Sequence, residues 1–156
     1  MLDFRESALR ILSRANQPKK KLVQKLVLRG ASSSDAKAIA DEMEKKGFID
    51  ENQYVISKAR QFSIRGDSLS MIVRKLAQDG LTVTPDEIES ILDQEGLNPD
   101  QGIEKLLQRK TKNINWETLS KEEAFKVKRK LFSVLSRKGY APDCAFKKIE
   151  GLFHLE

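Results

Sequence analysis

The chain has 156 residues and a formal net charge of +6, with 39% hydrophobic and 33% charged residues. A chain of this size can bury its own core, the high charge fraction predicts long solvated faces, and a single cysteine excludes an intramolecular disulfide framework and a cysteine metal cluster. The positive charge favours polyanions, acidic protein surfaces or anionic lipids as partners.

The amino-terminal segment predicts a helix and not a targeting signal. MLDFRESALRILSR carries acidic and arginine residues within its first ten positions and has no apolar run of signal-peptide length. Phe4, Ala8 and Ile11 recur at helical spacing, and no part of the chain approaches the ~20 apolar residues of a spanning helix. We therefore expect a soluble cytoplasmic protein without a membrane partner.

Most helix starts are marked by a capping residue, a proline in the first turn, or both. Strand patterns are nearly absent, so the sequence predicts an all-α protein of nine short helices. One helix begins near Phe4 and one after the serine run 32–34, and the others begin at Pro18, Asp50, Asp67, Thr84, Asn98, Ser120 and Pro142.

The stretch KKGFIDENQY is interpreted as a junction between two helices. Gly47 is placed to end a helix in the left-handed conformation, and Asp50 is placed to cap the next one. Ile49 and Tyr54 stand at the two positions that pack together across such a start. A calcium-binding EF-hand loop would need an oxygen ligand where Tyr54 stands, so the stretch argues against a calcium site.

An apolar pattern marks the second helix of each predicted group of three, as two large aliphatic residues four apart and a glycine four residues later. The copies are Leu22, Leu26 and Gly30; Ile72, Leu76 and Gly80; and Leu131, Leu135 and Gly139. Each copy lies between two other predicted helices, and the spacing between copies is near that of known supersecondary repeats. The sequence therefore predicts three tandem three-helix repeats, 1–48, 49–97 and 98–156, stacked into an elongated, curved array of undetermined hand.

The last helix of each predicted repeat has its own apolar face. These faces are expected at Ile39 and Met43, at Ile88 and Leu92, and at Phe146 and Ile149. The third repeat also contains the polar segment RKTKNINWETLS, which is predicted to be a long internal link, 109–120, in which Trp116 is a packing anchor.

Few residues suit catalysis. His154 is the only histidine and is placed where a terminal side chain frays, and Cys144 is expected to be a small buried residue in a helix. The acidic residues between Asp86 and Glu95 are expected to form a solvated face. Because phosphate-loop, nucleophile and metal-ligand patterns are also missing, we expect a protein that is not an enzyme and needs no cofactor or metal.

Basic residues cluster on the second helix of each predicted repeat. The clusters are 19–21 with Lys25, then Arg74 with Lys75, then the lysines and arginines of 126–138. Corresponding helices of successive repeats lie along one side of a stack, so the three clusters are expected to join into one cationic stripe. Such a stripe would fit a repeating polyanion or an extended acidic assembly.

A direct nucleic-acid-binding protein with helix-turn-helix-like units remains the alternative, because three short helices with glycine-containing turns are the skeleton of that motif. The threefold occurrence of the unit argues against it, since a typical protein of that type is a dimer with one recognition helix in each subunit.

The ordered set of these residues resembles the RecX family of RecA regulators. The strongest match lies in the middle unit, and ALRILSR with KLVQKLVLRG in the first unit and RKLFSVLSRKGY in the third match as well. The matching positions of the middle unit are Gly47, Phe48, Ile49, Asp50, Glu51, Tyr54, Arg65, Gly66, Ile72, Leu76, Gly80 and Leu81. Where the family usually has a serine cap and an acidic residue, this chain has Pro18 and Lys21.

The resemblance implies a three-repeat helical protein that lies in the groove of the RecA filament on single-stranded DNA and inhibits filament extension, strand exchange, ATP hydrolysis and co-protease activity. We expect it to be a monomer. Weak direct binding to DNA would accompany this role. Charge and repeat position, and not the resemblance, select the side chains expected on acidic filament surface or phosphate. They are Lys20, Lys25, Arg60, Arg65, Arg74, Lys75, Arg129, Lys130, Arg137 and Lys138.

Overall fold

The computed structural model describes residues 3–153, which form nine α-helices, one short 3-10 helix and no strand. The all-α prediction is confirmed for this part of the chain. The helices are α1 (Phe4–Arg14), α2 (Lys19–Leu28), α3 (Ser33–Lys45), α4 (Glu51–Ile64), α5 (Leu69–Gln78), α6 (Pro85–Gln94), α7 (Gln101–Thr111), α8 (Lys121–Arg137) and α9 (Pro142–Phe153), and the 3-10 helix is Trp116–Thr118.

Side-chain caps form at several of the predicted helix starts, including that of α1, where the Asp3 carboxylate accepts from the N–H of Arg5. The Asp50 carboxylate accepts a hydrogen bond of 3.0 Å from the N–H of Gln53 at the start of α4, and Ser32 caps α3 in the same way. At the start of α8, Ser120 and Glu123 form a reciprocal capping box. These local rules succeed because a capping side chain satisfies N–H groups that have no partner within the helix.

Two helices start later than predicted. The cap of α5 lies one residue beyond the expected Asp67, because Ser68 accepts a 3.1 Å hydrogen bond from the N–H of Met71, while Asp67 is buried. Asn98 accepts from the N–H of Asp100 at 2.9 Å. Asn98 and Pro99 therefore form a turn that precedes α7 instead of its first residues.

The threefold aliphatic-glycine pattern forms the same helix end each time. The residue after the glycine donates its N–H to the carbonyl of the second aliphatic residue, from Ala31 to Leu26, from Leu81 to Leu76 and from Tyr140 to Leu135, at 3.0 to 3.1 Å. The three glycines have φ of 106°, 83° and 91°, where an L side chain would be strained. The pattern thus specifies one local structure, a helix end that also closes α3, α4 and α6.

The described residues divide into two compact units. Unit 1 contains residues 3–58 and 74–84, and unit 2 contains residues 59–73 and 85–153. The middle segment 49–97 contributes residues to both units. The three-repeat organisation stays a prediction.

In unit 1 the core lies between α1, α2 and α3. Its fully buried members include Ala8, Leu22, Leu26 and Met43. Along each of the three helices the buried residues are three or four positions apart and so share one face. The predicted face of α3 is confirmed at Met43, and Ile39 packs against the same core with partial exposure.

In unit 2 a core lies between α7, α8 and α9, with Ile103, Leu107, Leu131 and Leu135 buried in it. Phe132, Val127 and Tyr140 pack around these residues. The Ile88 and Leu92 side chains of α6 are also fully buried, as predicted.

The predicted register of α9 is partly wrong. Ile149 is buried as expected, but its partner on the buried face is Ala145, and Phe146 is 56% exposed against the ring of Phe132. Successive helical residues lie about 100° apart, so a helix that buries Ala145 turns both of its neighbours outward. Cys144 is consequently helical, as predicted, but exposed and not buried.

The polar segment before α8 is shorter than the predicted link 109–120, because α7 continues through Thr111. Trp116 begins the 3-10 helix, and its ring centroid lies 4.1 Å from that of Phe153 at the end of α9. Its predicted role as a packing residue is confirmed.

Candidate partner-binding surface

Titratable side chains do not gather into a metal site within residues 3–153, where no group of three histidine, cysteine or acidic residues is placed to hold an ion. His154 lies outside the described residues. None of the helices in this part of the chain is both long and apolar enough to cross a membrane. The acidic side chains of α6 are exposed, as predicted.

Two lysines of the first basic cluster are bound within unit 1. The Lys19 ammonium lies 3.1 Å from the Asp41 carboxylate and 3.4 Å from that of Glu44. Lys21 lies 3.3 Å from the carboxylate of Asp79 and donates a 3.1 Å hydrogen bond to the hydroxyl of Tyr54. Because both ammonium groups already have carboxylate partners within unit 1, they are less available to bind another molecule.

Tyr54 completes this cluster by donating a 2.8 Å hydrogen bond to Asp79. Burial raises the pKa of the Tyr54 phenol, and the carboxylate of Asp79 raises it further. Burial lowers the pKa of Lys21, but its bonds to Tyr54 and Asp79 outweigh that effect, so the pKa of Lys21 is raised. The cluster therefore favours a protonated phenol beside a charged ammonium.

The remaining predicted cations of unit 1 differ in their surroundings. Lys20 and Arg74 are exposed and have no ion pair within residues 3–153. Lys25 is exposed and donates a 2.8 Å hydrogen bond to the neutral side chain of Gln17, so its charge is not balanced there. Lys75 is half-buried.

A cationic pocket lies between α1 and α2 in unit 1. Arg10, Arg14, Lys25 and Arg29 line it together with Leu28, whose side chain is 87% exposed. Arg10 is paired with Glu6 within α1, but no acidic side chain lines the pocket itself. The arrangement favours an anionic ligand.

Two of the predicted cations in unit 2 contact acidic side chains. The Lys138 ammonium lies 3.7 Å from the buried carboxylate of Asp67, and the Lys138 carbonyl accepts a hydrogen bond from the N–H of Ser68. Arg60 lies 3.8 Å from Glu95 across an exposed surface. Lys138 therefore supports the fold of unit 2, and Arg60 is only weakly held, because exposed pairs contribute little.

The other four predicted cations of unit 2 are exposed. Arg65, Arg129 and Lys130 have no ion pair within the described residues. Arg137 donates a 3.3 Å hydrogen bond to the backbone carbonyl of Ser133, which leaves its charge without a carboxylate. These side chains can meet an acidic partner without first breaking an internal ion pair.

One groove in unit 2 combines such cations with apolar side chains. It has a volume of about 440 Å³. One side is formed by α8, and the other by the end of α7 and the residues directly after α7. Its floor is aliphatic and its cations come from both elements. We call it the α8 groove and define it by Lys110, Ile114, Val127, Lys130, Leu131, Val134 and Arg137.

Sequence reasoning missed four cations that line these two cavities, namely Arg10, Arg14, Arg29 and Lys110. The sequence contained a signal for three of them. Arg10 and Arg14 are four residues apart, as are Lys25 and Arg29, so the members of each pair lie on the same face of their helix. Lys110 carried no such signal, since it was assigned to an extended link. The single cationic stripe stays a prediction.

No protein-family model matches the chain, and a search of curated proteins finds no significant match.

Proposed function

We propose that this protein is a negative regulator of RecA, which binds in the groove of the RecA filament on single-stranded DNA and inhibits filament extension, strand exchange, ATP hydrolysis and co-protease activity. The observation that carries the proposal is the set of exposed cations without balancing carboxylates, Lys20 and Arg74 in unit 1 and Arg65, Arg129 and Lys130 in unit 2. A filament of protein on DNA offers both phosphate and acidic surface along its length. The resemblance to the RecX family supplies the identity of that polymer.

The proposal includes three tandem three-helix repeats, each of which presents its basic second helix to the filament. The order of the helices supports it, because α2, α5 and α8 each stand second among three consecutive helices; the hydrogen bond that closes them also closes α3, α4 and α6. Buried aliphatic residues precede the glycine in all three places.

The decisive measurement is ATP hydrolysis by RecA on single-stranded DNA with this protein at a substoichiometric ratio. We expect strong inhibition. A variant carrying Lys20→Glu, Arg65→Glu, Arg74→Glu and Arg129→Glu should lose at least about tenfold in inhibitory potency, because each reversal replaces attraction by repulsion at the contact. Undiminished inhibition by this variant would contradict the proposed contacts, and no inhibition by the wild type would contradict the function.

A matched variant separates contact from net charge. Lys37, Lys45, Lys105 and Lys147 are also exposed and without ion pairs in the described part of the chain, two in each unit. Their joint reversal to glutamate changes the net charge by the same amount, but they lie outside the proposed surface. We expect this control to inhibit within about threefold of the wild type, since distant exposed charges are screened at physiological salt.

A direct nucleic-acid binder is the second candidate, and the pocket of Arg10, Arg14, Lys25 and Arg29 favours it. Binding to bare single-stranded DNA and to the preformed RecA filament, compared at physiological salt, distinguishes the two functions. A strong preference for the filament supports the regulator. Equal binding to both, with no effect on ATP hydrolysis, supports the nucleic-acid binder.

A further inference from the structure

The α8 groove combines an aliphatic floor with basic side chains. Its floor is made by the aliphatic side chains of Ile114, Val127, Leu131 and Val134, and its cations are Lys110, Lys130 and Arg137. No acidic side chain lines it. Lys110 and Lys130 have no ion pair within residues 3–153, so the charge of the groove is not balanced from inside the protein.

We infer that the α8 groove binds an acidic protein segment that inserts a large apolar side chain between these cations. The inference deepens the proposed function and rests on it for the identity of the protein that carries the segment. The chemistry of the segment is set by the groove alone.

The size and composition of the floor call for an apolar side chain. A space of about 440 Å³ accepts one or two large side chains and is too small for a folded surface. Val127, Leu131 and Val134 recur at three- and four-residue spacing along α8, which is the stripe that an apolar segment packs against in helix-in-groove recognition. Leu131 and Val134 are already buried, and an anion without an apolar part would leave the part-exposed side chains of Ile114 and Val127 uncovered.

The cations lie far enough apart that a ligand needs several negative charges to pair with all of them. Lys130 and Arg137 are seven residues apart on α8, which corresponds to roughly 10 Å along the helix axis, and Lys110 comes from a different element. A fatty acid has one carboxylate and could meet only one of these cations. A segment rich in aspartate and glutamate can meet all three.

The lining also argues for protein over nucleic acid. Single-stranded nucleic acid is held by basic side chains together with aromatic rings on which the bases stack, and the lining of this groove contains no aromatic side chain. The apolar surface is wholly aliphatic, as in grooves that receive apolar side chains.

The test is fluorescence anisotropy with a short fluorescein-labelled peptide, rich in glutamate and aspartate, that carries one central phenylalanine. We expect saturable binding to the full-length protein. Replacing the phenylalanine by serine should weaken binding at least about fivefold, because the apolar floor is then left unfilled. Replacing the acidic residues by lysine should abolish binding.

Two variants of the protein locate the site. Lys130→Glu with Arg137→Glu should weaken binding of the acidic peptide at least about tenfold, and Ile114→Asn should weaken it at least about threefold while leaving the cations in place. Lys105→Glu with Lys147→Glu is the matched control, with equal change of charge on exposed residues of unit 2 outside the groove, and should change the affinity less than about twofold. Circular dichroism checks that each variant keeps its helices.

Other occupants are measured with the same variants. The inference would be overturned if the peptide failed to bind, or if the groove variant and the control variant lost the same affinity for it. It would also be overturned if binding of a phosphatidylglycerol vesicle or a single-stranded oligonucleotide required Lys130 and Arg137 and binding of the peptide did not. Peptide binding without inhibition of RecA would retain this inference and remove the proposed function. Inhibition of RecA without peptide binding would do the reverse.

Discussion

At the scale of single residues, a basic side chain can serve the protein's own structure or be offered to a partner. Lys21 is bound to Tyr54 and Asp79, and Lys138 lies against the buried carboxylate of Asp67, whereas Lys20 is exposed without an ion pair in the described residues. The partners of Lys21 and Lys138 are distant in sequence. A lysine run alone therefore does not tell which of its members is available.

The Tyr54 hydroxyl should stabilise the protein in a pH-dependent way. The pKa values of Tyr54 and Lys21 lie above their ordinary values of 10.0 and 10.5, so the unfolded chain releases these protons first as the pH rises. Their contribution is complete below about pH 10 and is lost as the pH passes the folded pKa values. Tyr54→Phe should lower the free energy of unfolding at neutral pH by about 1 kcal/mol and make the alkaline decline shallower.

Urea titrations followed by circular dichroism at several alkaline pH values measure both effects. Tyr140→Phe is the matched control, since the Tyr140 hydroxyl makes no hydrogen bond within residues 3–153 although burial also raises its pKa. The control should cost less stability at neutral pH than Tyr54→Phe. An unchanged alkaline slope in Tyr54→Phe would contradict the role assigned to this cluster.

At the scale of helices, unit 2 has one position where two backbones come too close for a side chain. A Cβ built on Gly102, in the first turn of α7, would overlap the carbonyl oxygen of Ser63 in α4. Gly102→Ala must therefore move one helix away from the other, and overpacking of this kind typically costs about 1 to 3 kcal/mol. We expect a loss of about 2 kcal/mol or more in the free energy of unfolding.

The measurement is urea unfolding followed by the fluorescence of Trp116, the only tryptophan, which lies in unit 2. Gly151→Ala is the control, because Gly151 is also helical and a Cβ there would meet no atom within 4 Å. It should keep or raise the stability, by up to about 1 kcal/mol. A Gly102→Ala protein as stable as the wild type would refute the close approach of the two backbones.

Helix ends were more predictable from the sequence than helix faces. Gly47, Asp50 and Ser120 act through backbone groups within a few residues, so their roles follow from the sequence nearby. The face that a helix buries depends instead on what packs against it from elsewhere in the chain. Cys144 and Phe146 were assigned inward for that reason, although α9 turns Ala145 toward the core. The α8 groove could not be predicted from the sequence either, because Lys110 and Lys130 come from different helices and meet only through tertiary packing.

At the scale of the whole molecule, the net charge of +6 should make filament binding sensitive to salt. Raising the salt concentration from about 50 to 200 mM should lower the affinity of the wild type steeply, because exposed charges are screened and counterions compete for phosphate. The variant reversed at Lys20, Arg65, Arg74 and Arg129 should show a shallower dependence, and the matched lysine control should keep the wild-type slope. Equal slopes for all three proteins would assign the effect to net charge and not to the proposed surface.

The outward position of Cys144 on α9 makes the natural protein ready for site-directed labelling. The chain contains no other cysteine and this thiol is accessible to solvent, so a maleimide dye or a nitroxide attaches at one known place without any engineered change. Every titration described above can then be repeated with a spectroscopic reporter fixed to unit 2 of the unmodified sequence.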